Sequence, residues 1–508
     1  MKNEECGIKN EKGKKTKNKE LIIATMFKQL TYISFYALLL TTTGCKKFLE
    51  KNPDNRAALE SPEQVSQLLA TAYPQSNYMA FTESISDNVN DKGAGGTDLT
   101  TVQPYFFKDV TDNQQDSPEA YWNACYSAIA AANQALDACL KAPDTANYMS
   151  QKGEALLCRA YAHFMLVTLF AKPYDPNNSK SDAGIPYVLT PEKVVFQKYT
   201  RKTVAYVYEM IEKDLLAGLP LLDDTRYTVP RYHFTRIAAN AFAARFYLYK
   251  QDYAKSLSYA NGVFPNSNVT AILRPWNTDY LTQTYNELWA RYAKASEPAN
   301  LLLVETASWW ARNYFSERYA MDADKRTEIL NYNVTGGAYA FTRQTYTLGT
   351  NNYMIPKINE YFVRQSVNAT IGVGYVMVPL FTAEEALFNR IEANIYLNNI
   401  PAAVKDLNDY ASTRIYNYNA ASHTITTSKM QTYYGGDERQ ATLATLLDFK
   451  RAEFVQEGMR WFDLLRYNLP VTHNTTDGQK LVLAASDKRR VFQIPESARL
   501  SGVELNPR

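Results

Sequence analysis

Two separated segments of this chain share one spacing of small and aromatic residues. Residues 244–254 and 393–403 both read Ala-x-x-Tyr-Leu, then five residues, then Ala. Polar residues that favour turns stand at matching points, at 251–252 and 398–399. Small side chains at fixed offsets let two antiparallel helices pack closely, as in tetratricopeptide units. The pattern predicts helical pairs. Chance similarity between Ala-rich helices is the alternative, and the distance between the segments argues against a regular solenoid.

Apolar periodicity predicts that most of the chain is helical. A helix is expected to begin at Ser61-Pro62, since Ser is a favoured N-cap and Pro fits the first turn. Residues 74–117 show little periodicity, and residues 270–380 are rich in aromatic side chains. We therefore predict a mainly α fold of tetratricopeptide-like helical pairs with a loop-rich insertion containing minor β structure. The other predicted helices cover residues 120–141, 154–171, 201–219, 235–262, 382–413 and 440–467.

The N-terminal segment has the order of a secretory signal. Lys28 precedes a mostly apolar stretch at 30–40, and a small-residue site ends in Gly44-Cys45. That Gly-Cys pair resembles the lipobox of bacterial lipoproteins, in which the cysteine carries the lipid anchor. A plain secreted protein is the alternative. We interpret residues 1–25 as an upstream extension, 26–44 as a lipoprotein signal peptide, 45–60 as a tether lipidated at Cys45, and 61–508 as a single domain.

Charge and cysteine content exclude some classes of function. The formal net charge is +3, but residues 1–44 hold eight lysines and four glutamates, so the mature part is close to −1. A near-neutral protein has no general attraction to nucleic acid. Cys125, Cys139 and Cys158 are odd in number and form no Cys-x-x-Cys pair. Small core residues are therefore favoured over a disulfide or a metal site, and no cofactor is expected.

Several stretches match the motifs of one known family. Residues 154–170 look like its "EArflRAyayf" helix, and residues 201–215 look like its "vYe-x-I-x-x-DL" helix. Residues 450–466 resemble the long and specific signature "ERR-x-EL-x-x-EG-x-RwfDL-x-R". Ile-Pro at 494–495 and Asn-Pro at 506–507 resemble its closing segment. On these motifs the chain resembles the SusD/RagB outer-membrane nutrient-binding lipoproteins.

This resemblance implies a location, a partner and a ligand class. Members of the family lie on the outer face of the outer membrane as lids over a SusC-like TonB-dependent barrel. Their ligands are mostly oligosaccharides and, in the RagB branch, peptides. Phe449 stands where the family usually has Glu. Arg460, Asp463 and Arg466 are three residues apart and share one helix face, so we expect them to form a structural lock between helices.

Local catalytic motifs are absent from the sequence. It contains no HExxH, GxSxG, P-loop or Gly-rich dinucleotide turn, and His163 lies in an apolar helix where a core role is expected. The two carboxyl groups of a glycosidase can come from distant positions, so motif absence alone does not exclude one. We rank a non-catalytic glycan-binding protein first, a peptide-binding protein on the same scaffold second, and a secreted hydrolase third.

Oxygen-rich and aromatic side chains supply the candidate ligand contacts. The loop at residues 87–93 could hold calcium, but it lacks EF-hand spacing, and a solvated turn is favoured. The same polar groups could instead form hydrogen bonds with ligand hydroxyls. Aromatic planes can stack on the apolar faces of sugar rings. If the apolar run 301–304 is a strand, only one of Trp309 and Trp310 can face the core. We expect a site that combines residues 74–117 with 270–350, and its candidate residues are Tyr78, Phe81, Asp87, Asn90, Trp289, Trp309, Trp310 and Tyr314.

Overall fold

The computed structural model describes residues 59–192, 194, 197–265, 268–364, 366 and 369–508. The upstream extension, the signal peptide and Cys45 lie outside these residues. The described part of the chain contains 18 α-helices. They are α1 (Pro62–Leu69), α2 (Met79–Ser84), α3 (Leu99–Tyr105), α4 (Pro118–Lys141), α5 (Met149–Phe170), α6 (Val204–Gly218), α7 (Arg236–Tyr249), α8 (Tyr253–Val263), α9 (Tyr285–Tyr292), α10 (Trp310–Asn313), α11 (Ala323–Leu330), α12 (Ala383–Tyr396), α13 (Ile400–Arg414), α14 (Ala420–His423), α15 (Thr427–Tyr434), α16 (Glu438–Glu453), α17 (Arg460–Arg466) and α18 (Glu496–Leu500).

The β structure is minor and antiparallel. Strands β2 (Asn300–Ala307), β7 (Gly372–Thr382) and β6 (Glu360–Arg364) form a three-stranded sheet in which β7 is central. The pairing of β2 with β7 shifts register between Asn300 and Leu303. The remaining described strands form two-stranded pairs, β1 with β3, β4 with β5, and β8 with β9. The mainly α fold with minor β structure is as predicted from the sequence. The strands are β1 (Asn90–Asp91), β2 (Asn300–Ala307), β3 (Tyr319–Ala320), β4 (Tyr346–Thr347), β5 (Tyr353–Met354), β6 (Glu360–Arg364), β7 (Gly372–Thr382), β8 (Val471–Asn474) and β9 (Lys480–Leu483).

The two repeated segments form helical hairpins, as the sequence predicts. Helices α7 and α8 make one pair and α12 and α13 make the other, and α8 packs against α12. Gln251 and Asn398 occupy the two turns with φ of 64° and 60°, a left-handed conformation that a short helix-to-helix turn requires. The rings of Tyr253 and Tyr396 stack 4.2 Å apart between the pairs. The scaffold is therefore held by small residues within each hairpin and by ring stacking between hairpins.

Helix starts follow the side chains that can accept backbone hydrogen bonds. Ser61 caps α1 in a capping box with Gln64, as its Ser-Pro sequence predicts. Ser117, Thr235 and Thr382 cap α4, α7 and α12 in the same way, each accepting the backbone N–H of the third helical residue.

The segment predicted as one helix over 440–467 is divided into α16 and α17. Gln456 and Gly458 both have positive φ, and the carboxylate of Glu83 accepts their backbone N–H groups at 2.9 Å. A Cβ at Gly458 would collide with Thr82, so the turn also needs glycine for the close approach of α2. Residues 74–117, expected to be irregular, contain α2 and α3. Glu83 of α2 connects this segment to the turn between α16 and α17.

Arg460, Asp463 and Arg466, the charged cluster of the family signature, lock helices together. Their spacing suggests that all three interact on one helix face, but only Asp463 and Arg466 pair with each other. Asp463 accepts from Lys450 at 2.6 Å and from Arg466 at 3.1 Å, and Arg466 also binds Glu392 of α12 at 2.8 Å. Arg460 turns away and forms a two-bond pair with Asp87, both bonds 2.9 Å long. The cluster therefore ties α17 to α16, to α12 and to the loop after α2.

A second set of charges is fully buried in the core. Arg414 binds Glu384 at 2.8 Å and Glu453 at 2.7 Å, and Arg274 binds Glu384 at 2.7 Å. None of these four side chains is more than 1% exposed. Burial raises the pKa of Glu453, but the neighbouring Arg414 outweighs that effect and the pKa lies below its usual range. The network joins α12, α13 and α16 to the start of the 270–380 insertion.

Two further observations concern cysteines and membranes. Cys125, Cys139 and Cys158 are buried free thiols, in agreement with the expected core role. Among the helices that the structure describes, none combines the length and the apolar character needed to cross a membrane.

We predict that Arg414→Met strongly destabilises the protein. The substitution keeps much of the side-chain volume but leaves Glu384 and Glu453 short of a cationic partner in the core, which typically costs about 3–5 kcal/mol. Urea unfolding followed by circular dichroism measures the change. Lys141→Met is the matched control, because Lys141 pairs with Asp137 on an exposed helix face and its loss should leave the midpoint unchanged. Equal midpoints for the two variants would contradict the structural role of the network.

Candidate functional site

Trp309 lies at the surface, just after the end of strand β2. The backbone N–H of Ser308 donates to the carbonyl of Gly374 at 3.0 Å, which extends the sheet by one residue. Asp116 then accepts the Ser308 hydroxyl at 2.6 Å and the Trp309 backbone N–H at 2.7 Å. Burial raises the pKa of Asp116 to about 6, while the hydrogen bonds from Ser308 and Trp309 act in the opposite direction. Asp116 fixes the backbone at the point where the strand becomes helix α10.

Only one of the two adjacent tryptophans faces outward. Trp309 is 44% exposed, whereas Trp310 is 3% exposed and its indole N–H donates to the carbonyl of Gln456 at 3.1 Å. The sequence predicts that only one of the pair can face the core. The structure identifies Trp309 as the residue with a ring available to a ligand.

Polar and aromatic groups lie close to the segment that carries Trp309, which is bonded to Gly374 of β7 through Ser308. Arg312, one helical turn further on, forms a two-bond ion pair with Glu360 at the start of β6. Gly374 faces this pair from β7, and a Cβ there would collide with the Glu360 carboxylate, so glycine leaves the space the pair occupies. Phe362, paired with Gly374 across the sheet, is 52% exposed. We call the set Trp309, Arg312, Glu360 and Phe362 the Trp309 surface.

Four sequence-predicted contact residues are buried instead of facing a ligand. The ring of Tyr78 packs edge-on against Phe462, and the ring of Phe81 against Phe492. Tyr314 donates its hydroxyl to the carbonyl of Ile355 at 3.0 Å. Like Trp310, these three side chains are at most 5% exposed. Aromatic residues that occur singly in helical segments are most often core residues, and here they fill the space between α2, α17 and the insertion.

Arginine side chains bind the carboxylates of the oxygen-rich loop at residues 87–93. Burial raises the pKa of Asp87, but Arg451 and Arg460 outweigh it and the pKa lies well below its usual range. Asp91 binds Arg318 at 2.6 Å, and Asn90 donates to Asp322 at 3.1 Å. Within the described residues, no group of three or more His, Cys, Asp and Glu side chains could hold a metal ion. The loop is thus not a solvated turn, because its carboxylates are used in ion pairs with arginines.

Trp289 has an intermediate position. It is half-buried on α9, and its indole N–H donates to the carbonyl of Ile358, two residues before β6. Trp289 is therefore held at the segment just before β6, whereas Trp309 follows the end of β2.

Sequence analysis missed Asp116, Glu360 and Phe362. The alternation in residues 360–364, Glu-Tyr-Phe-Val-Arg, followed by glycines at 372 and 374, is typical of an edge hairpin and was the available signal for Glu360 and Phe362. No local signal marks Asp116, because its partners lie almost 200 residues away along the chain.

Comparisons with known proteins agree with this fold. Residues 47–248 match the SusD-like family model described as "Starch-binding associating with outer membrane". A SusD superfamily protein from Bacteroides thetaiotaomicron VPI-5482 is 19% identical, with a TM-score of 0.66, and the match covers 88% of this chain and all of that one. A SusD superfamily protein from Bacteroides fragilis is 18% identical, with a TM-score of 0.62 and coverage of 88% and 99%.

A SusD-like carbohydrate binding protein from Bacteroides vulgatus ATCC 8482 is 15% identical, with a TM-score of 0.60 and coverage of 87% and 96%. Comparison with curated proteins gives no match. At these identities the structural similarity establishes the fold, and the sequence motif match comes from the family model. Together they show that residues 47–248 match a SusD-like family model and that the chain has the fold of SusD superfamily proteins.

Proposed function

We propose that this protein is a lipid-anchored, surface-exposed nutrient-binding protein of the outer membrane. It captures an oligosaccharide, delivers it to a SusC-like TonB-dependent transporter, and catalyses no reaction. The observation that carries the proposal is Trp309, an exposed indole whose backbone is fixed by the buried carboxylate of Asp116.

The Trp309 surface has the chemistry of a sugar-binding platform. A sugar ring presents an apolar C–H face and a rim of hydroxyl groups, so it suits an aromatic plane bordered by hydrogen-bonding side chains. Trp309 and Phe362 supply exposed rings, and the paired Arg312 and Glu360 supply donors and acceptors with little net charge. The starch-binding description of the family and the carbohydrate-binding relative from Bacteroides vulgatus support this ligand class.

Anchoring and delivery are supported by the leader and by the similarity to SusD-like proteins. Residues 26–44 have the order of a lipoprotein signal, and Cys45 follows a small residue. A protein held by lipid at this cysteine needs no membrane-spanning helix. The family description, which places its members with the outer membrane, supports the same location. The SusC-like barrel partner is proposed from the resemblance of the sequence motifs to the SusD/RagB family.

Calorimetric titration against polysaccharides and against peptide digests tests the ligand class. We expect binding to at least one polysaccharide and no release of reducing ends on prolonged incubation. Binding to peptides alone would replace the saccharide by a peptide ligand, and release of reducing sugar would show that the protein is an enzyme.

We predict that Trp309→Ala weakens saccharide binding without lowering the melting temperature. Loss of stacking on one exposed aromatic ring costs about 1–2 kcal/mol, which raises Kd roughly fivefold to thirtyfold. Calorimetric titration and thermal unfolding measure the two quantities. Unchanged affinity would show that the ligand does not bind at this surface.

Trp310→Ala is the matched control for this prediction. The neighbouring indole is buried and hydrogen-bonded, so its removal leaves a cavity and an unpaired carbonyl, and we expect a loss of about 3–5 kcal/mol in unfolding free energy. If both variants keep wild-type stability, the assignment of inward and outward faces is wrong.

We predict that Cys45→Ala releases the protein from the membrane. The substitution removes the thiol on which the lipid is carried, while the secretion signal before it is kept. Fractionation of cells followed by immunoblotting should find the variant in the soluble fraction, and mass spectrometry should find lipid on the N-terminal cysteine of the wild type only. Membrane retention of the variant, with an unmodified wild-type N-terminus, would exclude the anchor.

A further inference from the structure

A second cavity lies away from the Trp309 surface. It has a volume of about 490 Å³, within the range of about 300–1,000 Å³ that is usual for small-molecule sites. Its walls come from α4, from the loop that precedes α6, and from α18 with the residues after it. None of its lining residues belongs to the Trp309 surface.

The aromatic walls of this cavity are fixed in place. Tyr126 donates its hydroxyl to the carbonyl of Pro186 at 3.0 Å, and its ring packs against Trp122 at a centroid distance of 5.0 Å. Tyr199 donates its hydroxyl to Glu192, and its backbone N–H donates to the carbonyl of Ser501 at 2.8 Å. Both tyrosines line the cavity and are half-buried. Because their hydroxyls are engaged at the edges, their rings are held in fixed orientations before any ligand arrives.

Polar side chains with unused hydrogen-bonding capacity share the cavity. Asn123 and Ser127 are four residues apart on α4, so they lie on one face of the helix, and both are exposed. Among the described residues, neither of these side chains nor that of Ser501 has a hydrogen-bond partner, although all three line the cavity. An amide and two hydroxyls can both donate and accept, which matches the hydroxyl groups of a sugar.

The charge of the lining favours a neutral ligand. Among the lining residues that the structure describes there is no lysine or arginine, and the one carboxylate, Glu192, already accepts the hydroxyl of Tyr199. A phosphate, sulfate or carboxylate would find no cationic partner there, and a cation would find only an engaged acid. Apolar side chains such as Ile129 and Val188 complete the walls. Fixed aromatic rings, free neutral polar groups and apolar walls together describe a site for an uncharged sugar.

We propose that this cavity is a second saccharide-binding site, which accepts a neutral sugar unit independently of the Trp309 surface. The inference extends the proposed function and rests on it for the context in which the ligand is met. A polysaccharide chain long enough to reach both sites would be held more firmly than by either site alone.

The test fills the cavity and leaves the Trp309 surface intact. The probes are hexasaccharides of α-1,4-glucose, β-1,4-glucose and β-1,4-xylose, with oligogalacturonate as a charged comparison, measured by calorimetric titration and saturation-transfer NMR. In the Trp309→Ala background we expect residual binding of at least one neutral hexasaccharide. Ser127→Trp, which adds an indole at an exposed position without removing a hydrogen bond, should weaken that residual binding at least tenfold, and Asn123→Ala about fivefold.

Leu140→Trp is the matched control, since Leu140 is exposed on the same helix and does not line the cavity. It should leave binding unchanged, and thermal unfolding should show that all variants are folded. The proposal is overturned if no neutral hexasaccharide binds the Trp309→Ala variant, if Ser127→Trp has no more effect than Leu140→Trp, or if only oligogalacturonate binds. If Trp309→Ala keeps wild-type affinity and the further Ser127→Trp substitution abolishes binding, the ligand binds in the second site and not at the Trp309 surface.

Discussion

The buried pair of Arg274 and Glu384 determines where the loop-rich insertion can lie. Arg274 stands at its start and Glu384 just after its end, and the backbone N–H of Arg274 donates to the same carboxylate at 2.7 Å. The backbone N–H of Ala383 also bonds the carbonyl of Ala299 at 2.9 Å. Closing so long a loop costs entropy, and burying charges costs solvation, so the pair must be well coordinated to persist. Arg414 supplies that coordination by connecting Glu384 to Glu453 on the helical scaffold.

The position of the Trp309 surface follows from this closure. Arg274 also donates to Asn300, the first residue of β2, at 2.5 Å. Strand β2 then runs for eight residues, roughly 25 Å at the usual rise per residue, and ends beside Trp309. Its pairing with β7 makes this segment rigid, and Asp116 fixes its far end. The charged core and the exposed indole are therefore the two ends of one strand, which explains how an irregular insertion can present a ring in a defined position.

The sequence predicted those features whose cause is local. The Ala-x-x-Tyr-Leu spacing and the Ser61-Pro62 start identified hairpins and a helix end because the interacting residues are neighbours along the chain. The expectation that only one of Trp309 and Trp310 faces the core assumed a strand, whereas β2 ends at Ala307 and the two residues lie at the start of α10. Asp87 was misinterpreted because its arginine partners, Arg451 and Arg460, lie more than 360 residues away. Tyr78 and Phe81 were misplaced for the same reason, since the surfaces that bury them come from α4, α17 and the C-terminal segment.

The use of carboxylates in this fold favours binding over catalysis. A buried acid with a raised pKa is a common sign of a general acid or base, and Asp116 has that property. Each of its oxygens nevertheless accepts a hydrogen bond from the chain itself, from Ser308 or Trp309, and the residue is buried, so the carboxylate serves to hold the backbone. Glu317, whose pKa is also raised by burial, is likewise turned inward and accepts the hydroxyl of Thr101 at 2.8 Å. These acids hold backbone segments in place. The groups around Trp309 are two exposed rings and the Arg312–Glu360 ion pair, and the second cavity offers rings, an amide and hydroxyls, which suits the proposed binding of a sugar.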